Sequence, residues 1–235
     1  TEFVQRGWSM KQMQRLIMTS STYRQVSRTS PDAQRIDPDN ALFSRMRLRR
    51  MDAEVLNDTL IFAAGRLDET RFGVPEPVLV RDDGLVTPIE TGKGWRRSIY
   101  IEQRRTEIPT ILDNFDLPPM SPNCVERPES TVSLQALYLM NNGMVRELSD
   151  SLAARVRREA GNDPQKQIEW VYWLTLSRAP TPEESKDCLE SLLKLKRLES
   201  KDPRGEPVME DAAEQRALSK ICHTLFNSAA FIYID

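Results

Sequence analysis

The chain has one histidine in 235 residues, His223. That excludes a multi-histidine metal centre within this sequence, and any histidine-based triad would have to use this one imidazole. Its place in an apolar-periodic stretch beside Leu225 and Phe226 reads as structural. Cysteine is also scarce. Cys124, Cys188 and Cys222 are an odd set with no Cys-x-x-Cys spacing, and Cys222-His223 lacks the upstream cysteine of a haem-attachment motif. Cys188 and Cys222 could bridge if the last two long helices pack together; buried thiols fit the same positions. No apolar run approaches the roughly 20 residues of a membrane-spanning helix. Positive charge has no surplus: 33 Lys and Arg face 35 Asp and Glu, for a net charge of -2. A general nucleic-acid binder is normally basic, so no nucleic-acid partner is expected. An initiator methionine and a signal peptide are absent as well. Residues Thr1 to Gly7 read as the last turn of a helix ending at glycine, so the expectation is a C-terminal fragment of a larger parent.

What is present is globular in kind, with 39% hydrophobic and 29% charged residues. Ser9 with Gln12 reads as a capping box for a helix of about ten residues carrying Met13, Leu16 and Ile17. Asp37-Pro38-Asp39-Asn40 is a turn and helix-start signal. The basic run Arg45 to Arg50 flows into a helix with Val55, Leu56, Thr59, Leu60 and Ala63 at helical spacing. Residues 66–94 are broken by Gly and Pro, with a hairpin expected at Asp83-Gly84. Ser98 to Gln103 is the best strand candidate, and Pro109 to Asn114 a short helix. From Thr131 the reading is helical throughout. Segments 143–160, one opened by Asp163-Pro164, one by Thr181-Pro182-Glu183-Glu184, and roughly 210–226 follow in turn. The expected fold is mainly α: a bundle-like single domain over 1–235 with a small β element at about 78–103. An irregular insert covers 66–130 and a helical part 131–235.

Arginine outnumbers lysine 25 to 8. Its planar fork suits bidentate contact with carboxylate, phosphate or sulfate. The densest cluster is Trp95-Arg96-Arg97-Ser98-Ile99-Tyr100-Ile101-Glu102-Gln103-Arg104-Arg105, followed by Phe115-Asp116 and Arg127. On a strand, Arg97, Ile99 and Ile101 would face one way and Ser98, Tyr100 and Glu102 the other. Two readings stay open. Arg97 or Arg127 could clamp Asp116 internally, because buried arginine must be paired. Alternatively Arg97, Tyr100, Arg104, Arg105 and Arg127 could line a cleft for an anionic group.

Trp8-Ser9, Leu16 to Ser20 and Tyr23-Arg24-Gln25 begin a series of ordered matches. Asp37-Pro38-Asn40, Arg49 to Glu54, Arg97-Ser98-Ile99-Tyr100, Phe115-Asp116 and Arg127 continue it. Gln135-Ala136-Leu137 with Asn141, Arg178 to Glu184, and Leu225 to Ser228 with Phe231-Ile232-Tyr233 complete it. Together they resemble the planctomycete-type secreted domain of unknown function 1553 over essentially the whole chain. The resemblance implies the C-terminal part of a large exported protein, periplasmic or envelope-associated, with upstream domains of the same polypeptide as partners. It implies no established activity, cofactor or catalytic residue.

No cofactor or metal is expected. Asp37, Asp39 and Asn40 could hold calcium, but the segment lacks the loop glycine and distal glutamate of an EF-hand, and a turn explains it equally. Glu102, Glu107, Asp113 and Asp116 could supply a glycosidase pair, although 35 acidic residues provide such pairs by chance. The expectation is a non-catalytic structural or interaction module. The alternative is a domain that binds or processes sulfated or uronic-acid polysaccharide.

Overall fold

A computed structural model describes residues 1–119, 124, 127–201 and 204–234. Residues 120–123 and 125–126 of the expected insert, and 202–203 of the helical part, lie outside the described residues. The chain divides into two compact units, Thr1–Arg50 with Tyr233–Asp235, and Met51–Ile232.

Unit one contains α1 (Glu2–Gln5), α2 (Met10–Met18) and α3 (Pro31–Ile36). Its β1 (Arg49–Arg50) pairs antiparallel with the chain's last strand, Tyr233–Ile234. Ser9 starts α2 by accepting the Gln12 N–H, and Ser30 starts α3 by accepting that of Ala33. The three helices contain no buried residue.

Unit two opens with α4 (Ala53–Ala63), then β2 (Leu67–Asp68), the β3–β4 hairpin (Val78–Val80, Val86–Pro88) and β5 (Trp95–Arg96). The hairpin turns at Asp83-Gly84 as expected, with Gly84 at φ +81°. β5 pairs parallel with β2, placing Arg96 opposite Asp68. Only glycine can precede β5. Gly94 has φ +122°, and a Cβ there would lie 2.0 Å from the Arg66 carbonyl oxygen.

The expected strand over Ser98 to Gln103 is corrected. Ser98–Tyr100 is a 3-10 turn, and Ile101 makes a single bridge to Glu76. The β-favouring run Ile99-Tyr100-Ile101 is overridden because Ser98 is pinned to α4. Ile99 is left 81% exposed, so the expected two-faced alternation does not form.

Among the described residues seven further helices follow: α5 (Thr110–Asn114), α6 (Ser133–Asn141), α7 (Gly143–Ala160), α8 (Pro164–Leu176), α9 (Pro182–Glu199), α10 (Glu210–Phe226) and α11 (Ala229–Ile232), before β6 (Tyr233–Ile234). α10 packs along α7 and α9, and α8 lies against both α7 and α9. The core is built from helical stripes: Val145, Leu148, Leu152 and Val156 of α7 meet Ile168 and Val171 of α8 and Ala217, Leu218 and Phe226 of α10. Thr181 and Glu184 form the expected capping box on α9, with Pro182 in its first turn. The domain is mainly α with small β elements, as the sequence indicates. Cys188 and Cys222 are not joined in a disulfide. Cys222 is fully buried, and Cys188 lies 3.7 Å from the Tyr172 hydroxyl.

Candidate functional site

The chain leaves α4 by way of β2 and returns to it at Ser98, within the arginine segment. Asn57 and Asp58 of α4 face inward where apolar periodicity put Val55 and Thr59; Val55 is 46% exposed and Asn57 is fully buried. The Ser98 N–H and hydroxyl each donate to Asp58 Oδ1 at 2.7 Å, and Asn57 Nδ2 donates to Ser98 Oγ at 3.0 Å. Burial raises the Asp58 carboxyl above its ordinary range, outweighing these hydrogen bonds and the nearby Arg97 charge.

Arg96 is the centre of the insert. Its side chain is 7% exposed. Nε donates to the Thr70 carbonyl at 3.2 Å, Nη1 to Val74 at 2.9 Å and Nη2 to Phe72 at 2.7 Å. The guanidinium stacks over the Tyr100 ring at 4.4 Å and lies 3.7 Å from Glu76 Oε2. One side chain thus gathers a loop in which Phe72 takes φ +62°. Asp68 completes the closure by accepting from the Thr70 N–H and hydroxyl and from Thr91 Oγ1. Burial pushes the Glu76 carboxyl up, and the Arg96 charge only partly opposes it.

The residues singled out from sequence are spread over several local contacts. Arg97 pairs with Glu69 at 3.1 Å in the open. Tyr100 serves as the platform for Arg96. Arg104 bridges Glu102 and Glu107, both at 3.0 Å. Arg105 is exposed. Arg127 makes a two-pronged pair with Glu54, at 2.7 and 2.9 Å, which holds the Glu54 carboxyl below its usual range. Asp116, at φ +65°, accepts from the Ser130 N–H and hydroxyl, fixing the entry to α6. Arg127 is therefore clamped to Glu54, and Asp116 is bound to Ser130.

Sequence reasoning passed over Asn57, Asp58, Asp68 and Glu76. A clue to them was available: a Gly- and Pro-broken insert has little apolar surface of its own, so polar groups must close it. The calcium alternative at Asp37 meets a turn. Asp37 Oδ2 accepts from the Leu42 N–H, and Asn40 exchanges hydrogen bonds with the Arg45 backbone. Cys222 and Cys188 are poor nucleophiles, because burial pushes both thiols up. His223 is tied to the Leu139 carbonyl at 3.0 Å.

The fold and these contacts define a helical module whose β insert is closed by polar tethers. The chain belongs to the family described as protein of unknown function DUF1553 (PSD1), whose model matches residues 1–192. No curated protein and no solved structure matches the chain.

Proposed function

We propose that this chain is a non-catalytic interaction module of an exported, envelope-associated protein, and that residues 1–50 form its partner-binding part. The observation that carries this reading is the placement of apolar side chains: every buried hydrophobic residue lies at or after Met51. In the first fifty, Trp8 is 66% exposed, Ile17 53%, Leu42 72% and Phe43 64%. Apolar surface gathered in one unit without a core marks a contact with another protein surface. The occupant that fits best is an adjoining part of the same polypeptide, because the family resemblance sets such domains behind others. The exported setting rests on that resemblance too. No helix among the described residues is long and apolar enough to cross a membrane.

An anionic-glycan role for the arginine segment draws less support. Arg97, Arg104 and Arg127 each hold a carboxylate, and Arg96 is occupied by three carbonyls.

The test is hydrogen exchange on the amides of α2, in this chain and in the full reading frame of its gene. Docking protects them in the longer protein, and the triple change Trp8→Ser, Ile17→Ser, Phe43→Ser removes the protection. Equal exchange in both proteins would sink the reading.

A further inference from the structure

A cleft of about 910 Å³ opens in unit two, where the ends of α6 and α9 meet the faces of α7 and α10. Arg146 and Asp150 stand one turn apart on α7, and Arg216, Lys220 and His223 recur at helical spacing on α10. Lys201 follows α9. These four cations face two carboxylates, Asp150 and Glu199, leaving a formal surplus of two positive charges.

How these groups are occupied sets the cleft apart from the arginine segment. Lys220 is paired with Glu199, and Asp150 accepts from Ser219. Among the described residues Arg146 reaches only the Met140 carbonyl, at 3.4 Å. Lys201 and Arg216 have no carboxylate partner among the described residues. By contrast, Arg155, Arg157 and Arg178 of the same unit each hold an acid. His223 is oriented as well. The Leu139 carbonyl can only accept, so Nε2 carries the proton, and Nδ1 of the neutral ring remains an acceptor.

We propose that this cleft binds a small hydroxylated oxoanion: a sugar or polyol bearing a sulfate, phosphate or carboxylate group. The forks of Arg146 and Arg216 take the oxoanion, with Lys201 adding a point charge. The second Asp150 oxygen and His223 Nδ1 accept hydroxyl protons, which inorganic sulfate would not supply. The cleft has ample room for such a ligand. The proposal is independent of partner docking by residues 1–50, because every lining group belongs to unit two.

The experiment titrates the full chain calorimetrically with glucose 6-sulfate, glucose 6-phosphate, glucuronate, glucose and inorganic sulfate. At least one anionic sugar is expected to bind about tenfold tighter than both glucose and inorganic sulfate. Arg146→Gln combined with Arg216→Gln should weaken it by about tenfold or more, while Arg97→Gln should leave it unchanged. Arg146 and Arg216 are exposed, so the double variant is expected to keep its circular dichroism and melting temperature. The anionic sugar that binds best identifies the group recognised. No binding, binding matched by inorganic sulfate or glucose, or binding that survives the double variant overturns the proposal. A second readout needs no variant: NMR signals of the His223 ring and the Arg216 side chain must shift on saturation, and their failure to shift overturns it equally.

Discussion

The two units use similar residues to different ends. Residues 1–50 contain Trp8, Ile17, Leu42 and Phe43, all more than half exposed, while Leu152 and Phe226 of unit two are fully buried. α2 is more strongly amphipathic in sequence than α7, yet α7 buries Val145, Leu148, Leu152 and Val156 and α2 buries nothing. A periodic apolar stripe records that a helix has a face to cover; it does not say whether the cover is in the same chain. The difference also separates two kinds of cohesion within unit two. The helices are held by apolar packing; residues 66–107 send Trp95 into that core but are closed on themselves by Arg96, Asp68 and the Asp58–Ser98 contact.

The sharpest way to break the comparison is to remove a core side chain. Phe226 packs on Phe231 with ring centroids 5.1 Å apart. Phe226→Ala is expected to cost about 3–5 kcal/mol in urea denaturation, with one cooperative transition for unit two. A loss below about 1 kcal/mol would mean that the α7–α10 stripe is not the centre of stability.

Arg96→Ala comes next. It leaves three carbonyls without their donor and Glu76 buried without its cation, at an expected cost of about 3 kcal/mol. If Arg96 is what closes the 69–77 loop, proteolysis there should rise before the helices unfold. Cleavage that follows global unfolding instead would join the insert to the core and blur the contrast.

The helical part was legible because its signals are local. Asp163-Pro164, the Thr181–Glu184 capping box and the stripe of α7 each set a boundary or a face within one or two turns. The strand expected at 98–103 failed because its outcome is set from 40 residues away, where Asp58 holds Ser98. The arginine residues were legible as residues that need partners, but the identity of the partners was not. Arg127 meets Glu54 across 73 positions, and no spacing rule links them. The cleft was missed for a similar reason: Arg146 and Arg216 look like ordinary solvated helix charges until two helices bring them to one opening.

A smaller effect tests how local contacts add to the core. Glu184 bonds Arg178 twice at 2.7 Å and accepts from the Thr181 N–H, and the Arg178 hydrogen bond holds its carboxyl at about 2 against an ordinary 4.5. A depressed carboxyl stabilises the fold fully above pH 4.5, and the contribution disappears as pH falls toward 2. Both partners are partly exposed, so water screening limits the effect to about 1 kcal/mol. Melting curves of Glu184→Gln should lie below those of the parent at pH 7 and converge with them near pH 2. A gap that persists at pH 2 would assign the effect to packing rather than charge.

The smallest expected effect carries the comparison furthest. Ile17 is a large β-branched residue in the last turn of α2, and in a buried helix its loss would cost several kcal/mol. At 53% exposure, Ile17→Ser should change the stability of this chain by less than about 0.5 kcal/mol. The same substitution in the full reading frame should cost more, because there the side chain would lie against its partner. A loss of about 2 kcal/mol in the present chain would mean that α2 shares the cooperative core, and the argument for an external partner would fail with it. Near-zero effects in both proteins would instead leave the apolar face without an occupant, since a covered isoleucine cannot be replaced by serine without cost.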